Sequence, residues 1–320
     1  MNEKKRDFKS ILQTYGALIT LVVLVVALSI VSQDFRQVDN FMKLLRQASV
    51  NGLIAFGMTG VILTGGIDLS VGSTLALTSL GCAMMMKAGV DPLLAMVAAL
   101  VMGVVMGCVS GLLVTKGRLQ PFIATLITMI VYRGLTLILS NGKPVSRLVE
   151  ADDTGFSAML FKNFGKGMVF GIPVPVIIFF ICFAVFLFIL TKTVTGRRIY
   201  ATGSNDKAAK LAGVNVDRSK LFVYAASGFF AAAAGLVVLS RLGSAQPTAG
   251  AGYELDAIAA VALGGTSMAG GRGKLHGTLI GILIIAVLNN GLNILNVNPY
   301  FQDVVKGLVI LLAVLSDRKR

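Results

Sequence analysis

Two groups of polar residues lie beside or within long apolar runs and are the candidates for contact with a polar solute. They are Thr64, Asp68 and Ser70 in the first group, and Asn289, Asn290 and Asn293 in the second. Hydroxyl, carboxylate and amide groups can bind a solute, but they can equally form hydrogen bonds between helices. Asp68 and Ser70 can instead cap a helix that begins at Val71. A carboxylate at mid-membrane costs about 2.5–3.5 kcal/mol, so we expect Asp68 to face protein, water or a helix end.

The elements that position these residues are predicted to be membrane helices. The chain has 320 residues, of which 55% are hydrophobic and 14% charged, and its mean hydropathy is +0.82. These values predict an all-α polytopic membrane protein with about ten transmembrane helices in a single domain over 1–320. The predicted spans are 15–31, 48–64, 71–86, 93–114, 122–139, 174–190, 221–239, 257–263 with its flanks, 278–295 and 301–315.

The distribution of charge predicts the orientation. The formal net charge of +14 arises from Lys and Arg in the loops between apolar runs, so we do not expect nucleic-acid binding. With the N-terminus inside, the inner loops hold about twice as many Lys and Arg as the outer loops, although the 33–47 loop opposes this locally. Both termini are therefore predicted to be cytoplasmic. This orientation makes the polar passage 191–220 a cytoplasmic loop and 140–171 the longest outer loop. The outer loop could be a cap on the outer face or simply a solvated segment.

Two glycine pairs interrupt the helical pattern. Gly65-Gly66 and Gly264-Gly265 each follow an apolar run, which predicts discontinuous helices near 65–73 and 264–276. A Gly-Thr-Leu triplet at 277–279 echoes Ser-Thr-Leu at 73–75, which indicates a faint internal repeat. Discontinuous helices in corresponding halves often line a transporter's substrate path, but glycine-rich crossings can also serve tight packing alone. Glycines at four-residue spacing predict close helix packing at 103, 107 and 111, and at 277 and 281.

The chain lacks the motifs of several enzyme classes. Each of its three Gly-Lys pairs, at 142–143, 165–166 and 273–274, lacks the surroundings of a phosphate-binding loop. His276 is the one histidine, and Asp152-Asp153 lacks the further carboxylates that a metal-pyrophosphate site would need, so we expect no metal, no cofactor and no catalytic residue. Ser110 with His276 is the remaining possibility, as an intramembrane hydrolase. Any ATP that the protein depends on would be hydrolysed by a separate subunit.

The cytoplasmic loop contains a predicted short surface helix. Asn205 or Ser204 can cap it, Asp206 lies in its first turn, and Gly213 can close it in the left-handed conformation. Ala208 and Ala209 followed by Gly213 resemble the Glu-Ala-Ala-x-x-x-Gly loop of ATP-binding-cassette importer permeases, which docks on the ATPase. Lys207 stands at the glutamate position of that pattern. The resemblance implies that these residues, 205–209 and 213, contact an ATPase; a basic loop on lipid headgroups is the alternative.

The longer segments extend the resemblance to nearly the whole chain. The sequences VILTGGIDLSVGS from Val61, SAQPTAGAGYELDAIAAVALGGTSMAGGRG from Ser244 and LNNGLNIL at 288–295 are similar to inner-membrane permeases of ribose ATP-binding-cassette importers. That monosaccharide branch also serves xylose, arabinose and galactose. The resemblance implies a homodimer, a cytoplasmic ATPase with two nucleotide cassettes, and an extracytoplasmic sugar-binding protein that delivers a pentose, with D-ribose as the expected sugar.

The resemblance gives the polar groups a role, because a neutral sugar needs hydrogen-bond donors and acceptors along its path. Asn289 and Asn293 lie one turn apart on one helix face. The alternative function is an ion-coupled secondary transporter that uses Asp68 as a proton or cation site and requires no ATPase.

Overall fold

A computed structural model describes residues 2–146, 148 and 154–317. Within these residues the chain forms thirteen α-helices and two small antiparallel sheets. The helices are α1 (Asn2–Val31), α2 (Val38–Leu63), α3 (Val71–Lys87), α4 (Pro92–Thr115), α5 (Pro121–Ser140), α6 (Phe156–Lys166), α7 (Val174–Lys192), α8 (Val194–Ser204), α9 (Asp206–Leu211), α10 (Val216–Leu242), α11 (Tyr253–Leu263), α12 (Leu275–Ile294) and α13 (Pro299–Asp317). The strands are β1 (Val145–Ser146), β2 (Met168–Val169), β3 (Ile172–Pro173) and β4 (Ser244–Ala245), with β1 paired to β4 and β2 to β3.

The ten predicted spans coincide with helices α1 to α5, α7 and α10 to α13. Five helices in the described part of the chain are long and apolar enough to cross a membrane, namely α4, α5, α7, α10 and α12. The all-α membrane fold is therefore confirmed. Helix α11 has 11 residues, about 16 Å at 1.5 Å per residue, so it crosses only about half of the hydrocarbon core.

Helix α10 lies at the centre, packed against α2, α3 and α4. The predicted glycine faces explain how close these helices come. A Cβ atom on Gly103 would lie 2.5 Å from the carbonyl oxygen of Gly228 in α10. Gly277 and Gly281 leave the same kind of space against α11, at Gly264 and Ala260. The prediction of close helix packing through small residues is therefore confirmed on both helix faces. Lipid supplies no hydrophobic drive for helix association, so the van der Waals attraction between helices depends on how closely they approach.

The predicted outer loop 140–171 is not merely solvated. Helix α6 packs against α10, where Phe161 is buried and the N–H of Gly165 donates to the Ser240 hydroxyl at 2.8 Å. Strand β1 pairs with β4 and so brings the loop over the segment that follows α10. The charged residues expected in this loop include Arg147, Glu150, Asp152 and Asp153, which lie outside the described residues.

Candidate functional site

The two helix breaks have the same closing geometry. A glycine with positive φ follows α2 and α11, where a residue with a Cβ atom would be strained. The N–H of the next residue then donates to the carbonyl five positions earlier. The glycines are Gly65 (φ +77°) and Gly265 (φ +79°), and the hydrogen bonds join Gly66 to Val61 at 3.1 Å and Thr266 to Val261 at 3.2 Å. Both predicted discontinuities are present, and this shared closure supports the internal repeat.

The two breaks touch each other. The N–H of Gly271, in the segment after α11, donates to the carbonyl of Leu63, the last residue of α2, at 3.0 Å. A Cβ atom on Gly270 would lie 2.8 Å from the amide nitrogen of Gly65. Backbone therefore meets backbone where the two breaks touch.

The end of α8 lies against both breaks at once. A Cβ atom on Gly203 would overlap the carbonyl oxygen of Leu63 and would lie 2.6 Å from the amide nitrogen of Gly271. One turn earlier, the Tyr200 hydroxyl donates to the carbonyl of Gly273 at 3.0 Å. Burial raises the pKa of that hydroxyl, which keeps it a donor. The loop between α7 and α10 is thus tied to the breaks through two contacts on one helix.

Asp68 lies in the first break and is 1% exposed. Its Oδ1 accepts hydrogen bonds from the Ser70 amide at 3.0 Å and the Ser70 hydroxyl at 2.6 Å. Its Oδ2 accepts from the Ser227 hydroxyl of α10 at 2.7 Å. Neither Asp68 nor Ser70 forms the suggested side-chain cap of α3, because the Ser70 hydroxyl bonds Asp68 and neither side chain accepts from an amide of α3. Thr64 bonds only its own helix, at the carbonyl of Val61, at 2.8 Å.

A segment rich in turns, 246–252, leads into α11 and is held by an arginine within the membrane helices. The guanidinium of Arg133 in α5 donates to the carbonyls of Pro247 at 2.7 Å and Ala249 at 2.9 Å. A Cβ on Gly72, in the first turn of α3, would overlap the carbonyl oxygen of Gly250. Arg133 therefore satisfies carbonyls that no helix bonds, as membrane depth requires.

A buried polar cluster joins four helices around Asp256, which is 6% exposed in the first turn of α11. Lys306 of α13 approaches its Oδ1 at 3.5 Å. The amides of Asn51 in α2 and Asn289 in α12 donate to its Oδ2 at 3.3 and 3.5 Å. Among the described residues, the Oδ1 of Asn289 has no hydrogen-bond partner although it is buried. This acceptor is a buried polar atom of the cluster that a further hydrogen-bond donor could satisfy.

The other two asparagines of the second predicted group also reach neighbouring helices. Asn290 and Asn40 exchange two amide hydrogen bonds, at 2.8 and 3.0 Å. Asn293, which is exposed, accepts from Gln302 of α13 at 3.0 Å. The structure therefore separates the two predicted groups, with Asp68 beside α10 and the asparagines among α2, α11 and α13. It gives every one of the asparagines an interhelical partner.

The predicted short helix of the loop is present as α9. The Asn205 side chain accepts from the amide of Ala208 at 3.0 Å, Asp206 lies in the first turn, and Gly213 has φ +81°. Capping and closure are therefore confirmed. Ala209 is only 5% exposed, so its small side chain packs inside the loop, while Ala208 faces outwards.

Ser110 and His276, the residues of the hydrolase alternative, each have another partner. The Ser110 hydroxyl lies 3.1 Å from that of Thr128, and the His276 ring packs edge-on against Phe183 with centroids 5.6 Å apart. Neither contact has the geometry of a nucleophile and its base.

A profile described as "Branched-chain amino acid transport system / permease component" matches residues 40–314. The chain belongs to this permease family. It is 52% identical to the ribose import permease protein of Bacillus subtilis over 318 residues, which is 99% of this chain and 97% of that protein. It is 52% identical to the protein of the same name from Haemophilus influenzae over 93% of this chain and 91% of that one. It is 37% identical to the L-arabinose transport system permease protein of Escherichia coli over 98% and 92%. No solved structure matches the chain.

Four residues of this permease that form buried polar contacts or an exposed apolar surface were not predicted as functional from the sequence. They are Arg133, Leu211, Asp256 and Lys306. A signal existed for three of them, because a charged residue within a predicted span or its flank demands a partner. Leu211 is 92% exposed on α9, and a helix of 6 residues is too short for periodicity to reveal which face is free.

Proposed function

We propose that the chain is the membrane-spanning subunit of an ATP-binding-cassette importer that moves D-ribose, a neutral monosaccharide, into the cell. The names of the ribose import relatives, matched at about half identity over nearly the full chain, support this substrate. The subunit has no nucleotide site of its own and works with a cytoplasmic ATPase that carries two cassettes. An extracytoplasmic sugar-binding protein and a second copy of the chain complete the importer. Both termini lie in the cytoplasm.

The observation that carries the mechanism is the contact of α8 with both breaks. ATP binding changes the shape of the ATPase, and that change must reach the sugar path through a rigid element. A helix end seated against the Leu63 carbonyl and the Gly271 amide moves both breaks together. Packed backbone transmits such a displacement because it cannot compress. Alternating access then follows from repositioning α3 and α12, the helices that begin after the breaks.

The ATPase docks on α9. Leu211 supplies an exposed apolar anchor, with Ala208 and Ala212 beside it as small exposed residues. Asn205, Asp206 and Gly213 fix the shape of this surface through the cap, the first turn and the left-handed closure, and Lys207 lies exposed at its edge. Ala209 keeps the loop packed. An exposed leucine outside the membrane is costly in water, so a partner groove that buries it gains affinity.

The sugar path runs beside the breaks, and the asparagines contribute its polar lining. Asn289 offers its open buried acceptor, which a sugar hydroxyl can satisfy. Asn290, Asn293, Thr64 and Ser70 hold the path's walls through their hydrogen bonds. Asp68 already accepts three hydrogen bonds, which favours a structural role for this carboxylate over the proton or cation site of a secondary transporter.

Reconstitution into liposomes tests the proposal. With the ATPase, ATP and the binding protein, ribose should accumulate inside; without the ATPase, no ribose should enter under a proton or sodium gradient. Gradient-driven uptake by the chain alone would support the secondary transporter and refute the importer.

A further inference from the structure

A cavity of about 360 Å³ opens on the face of the protein that carries α9. Four cationic side chains line it against a single carboxylate. The cations are Lys116, Arg118, Lys210 and Lys220, and the carboxylate is Asp217. They come from the end of α4, the α4–α5 loop, the last turn of α9 and the start of α10. Three separate stretches of chain therefore direct positive charge into one concavity.

None of the four cations has an ion-pair partner in the part of the chain that the structure describes. Among the residues that the structure describes, no carboxylate lies within 4.0 Å of any of them, since the ion pair found there joins Lys306 to Asp256. Arg118 also has φ +53°, the left-handed conformation that a side chain other than glycine adopts at a cost in strain. Like charges gathered around a concavity repel each other, and a bound anion removes that repulsion.

We propose that this cavity binds a phosphate group, carried by an anionic phospholipid or by a soluble phosphate ester. Arginine matches phosphate oxygens with two parallel N–H donors, and lysines add point charges around them. The volume exceeds that of one phosphate, which leaves room for the rest of a headgroup or of a small ester. Basic pockets at the ends of membrane helices are suited to lipid headgroups.

The position of the cavity favours the lipid as the source. Its floor contains Val114 and Val216, at the end of α4 and the beginning of α10, where the membrane helices meet the polar loops. Leu112, one turn before Lys116 on the same face of α4, is 45% exposed, and Leu119 beside Arg118 is 36% exposed. Phosphate binding in the cavity would leave acyl chains free to lie along this apolar surface.

Native mass spectrometry of the purified full-length chain, without the ATPase, tests the proposal with phosphatidylglycerol as the probe. Phosphatidylglycerol should bind in preference to phosphatidylcholine. The triple variant Lys116→Gln/Arg118→Gln/Lys220→Gln should bind it roughly a hundredfold more weakly, because each lost cation weakens the attraction about fivefold. The matched control Lys192→Gln/Arg197→Gln/Arg198→Gln removes the same charge from exposed residues outside the cavity and should bind as the parent does.

Added inorganic phosphate distinguishes the two sources. If phosphate displaces phosphatidylglycerol from the parent, the cavity accepts free phosphate esters as well; if it does not, the lipid is the ligand. Thermal unfolding reports whether the triple variant is folded, and Arg118→Gln alone replaces it if it is not. Unchanged phosphatidylglycerol binding by the folded variant overturns the proposal. In a parallel co-purification with the ATPase, weaker ATPase binding by the triple variant together with unchanged phosphatidylglycerol binding would make the cavity part of the subunit contact instead.

Discussion

Gly203→Ala tests whether α8 drives the breaks. The new Cβ would overlap the Leu63 carbonyl oxygen and would lie 2.6 Å from the Gly271 nitrogen, which must recede by about 0.8 Å to reach an ordinary contact of 3.4 Å. Such overpacking costs about 1–3 kcal/mol. Alanine also favours the helix over glycine by roughly 1 kcal/mol, so the net loss of stability is about 0–2 kcal/mol. The protein should remain folded.

Transport should suffer far more than stability. If the 1–3 kcal/mol of strain falls on one of the two states of the transport cycle, the population of that state drops about 5- to 150-fold. Ribose uptake into liposomes should fall accordingly, while the ATPase still binds because α9 is untouched. The matched control is Gly134→Ala in α5, where a Cβ meets nothing within 4 Å. It should leave uptake unchanged.

Normal uptake by Gly203→Ala, with the control also normal, would refute the idea that α8 transmits motion through this contact. Loss of ATPase binding in Gly203→Ala would refute it in a different way, because the defect would then lie in docking. Co-purification with the ATPase and the unfolding temperature separate these outcomes.

Three further results are expected. Leu211→Asp should reduce co-purification of the ATPase by at least about tenfold. The control Phe170→Asp changes a fully exposed side chain outside α9 and should leave co-purification unchanged. Equal effects of the two variants would exclude α9 as the anchor. Asp68→Asn should keep most of the free energy of unfolding. Asp68→Leu should lower that free energy by about 2–4 kcal/mol, because it leaves buried hydroxyl and amide donors without an acceptor. An unchanged unfolding curve for Asp68→Leu would contradict this. Lys306→Met should destabilise the protein by about 3–5 kcal/mol, because Asp256 is left without its ion-pair partner. Adding Asp256→Asn should restore much of the lost stability. A double variant no more stable than Lys306→Met would argue against the ion pair.

The features that sequence predicted are those decided within a few neighbouring residues. The cap at Asn205, the closure at Gly213 and the breaks at the two glycine pairs each depend on local backbone geometry, which residue type specifies. The ten helices followed from apolar run length in the same way. Fold class and the short helix α9 could therefore be predicted from the chain alone.

The polar contacts could not be predicted because their partners are far apart in sequence. Asn51 and Asn289 meet at Asp256 only when α2, α11 and α12 pack together. Sequence placed Arg133 within a helix but gave no indication that it would hold the carbonyls of 246–252. Ala209 illustrates the same limit in the loop, since its burial depends on how α9 lies against α10.

In the proposed mechanism, the glycines at the α8 contact couple distant parts of this permease without a chain of polar side chains. Gly203 and Gly271 let main-chain atoms meet, and the Leu63 carbonyl lies between them. A side chain at such a contact can change rotamer and absorb a displacement of about 1 Å, whereas packed backbone cannot. Both breaks close with the same hydrogen-bond pattern, and the end of α8 contacts the backbone of both. In the proposed mechanism, motion that begins at α9 reaches α3 and α12 together, which an alternating path requires.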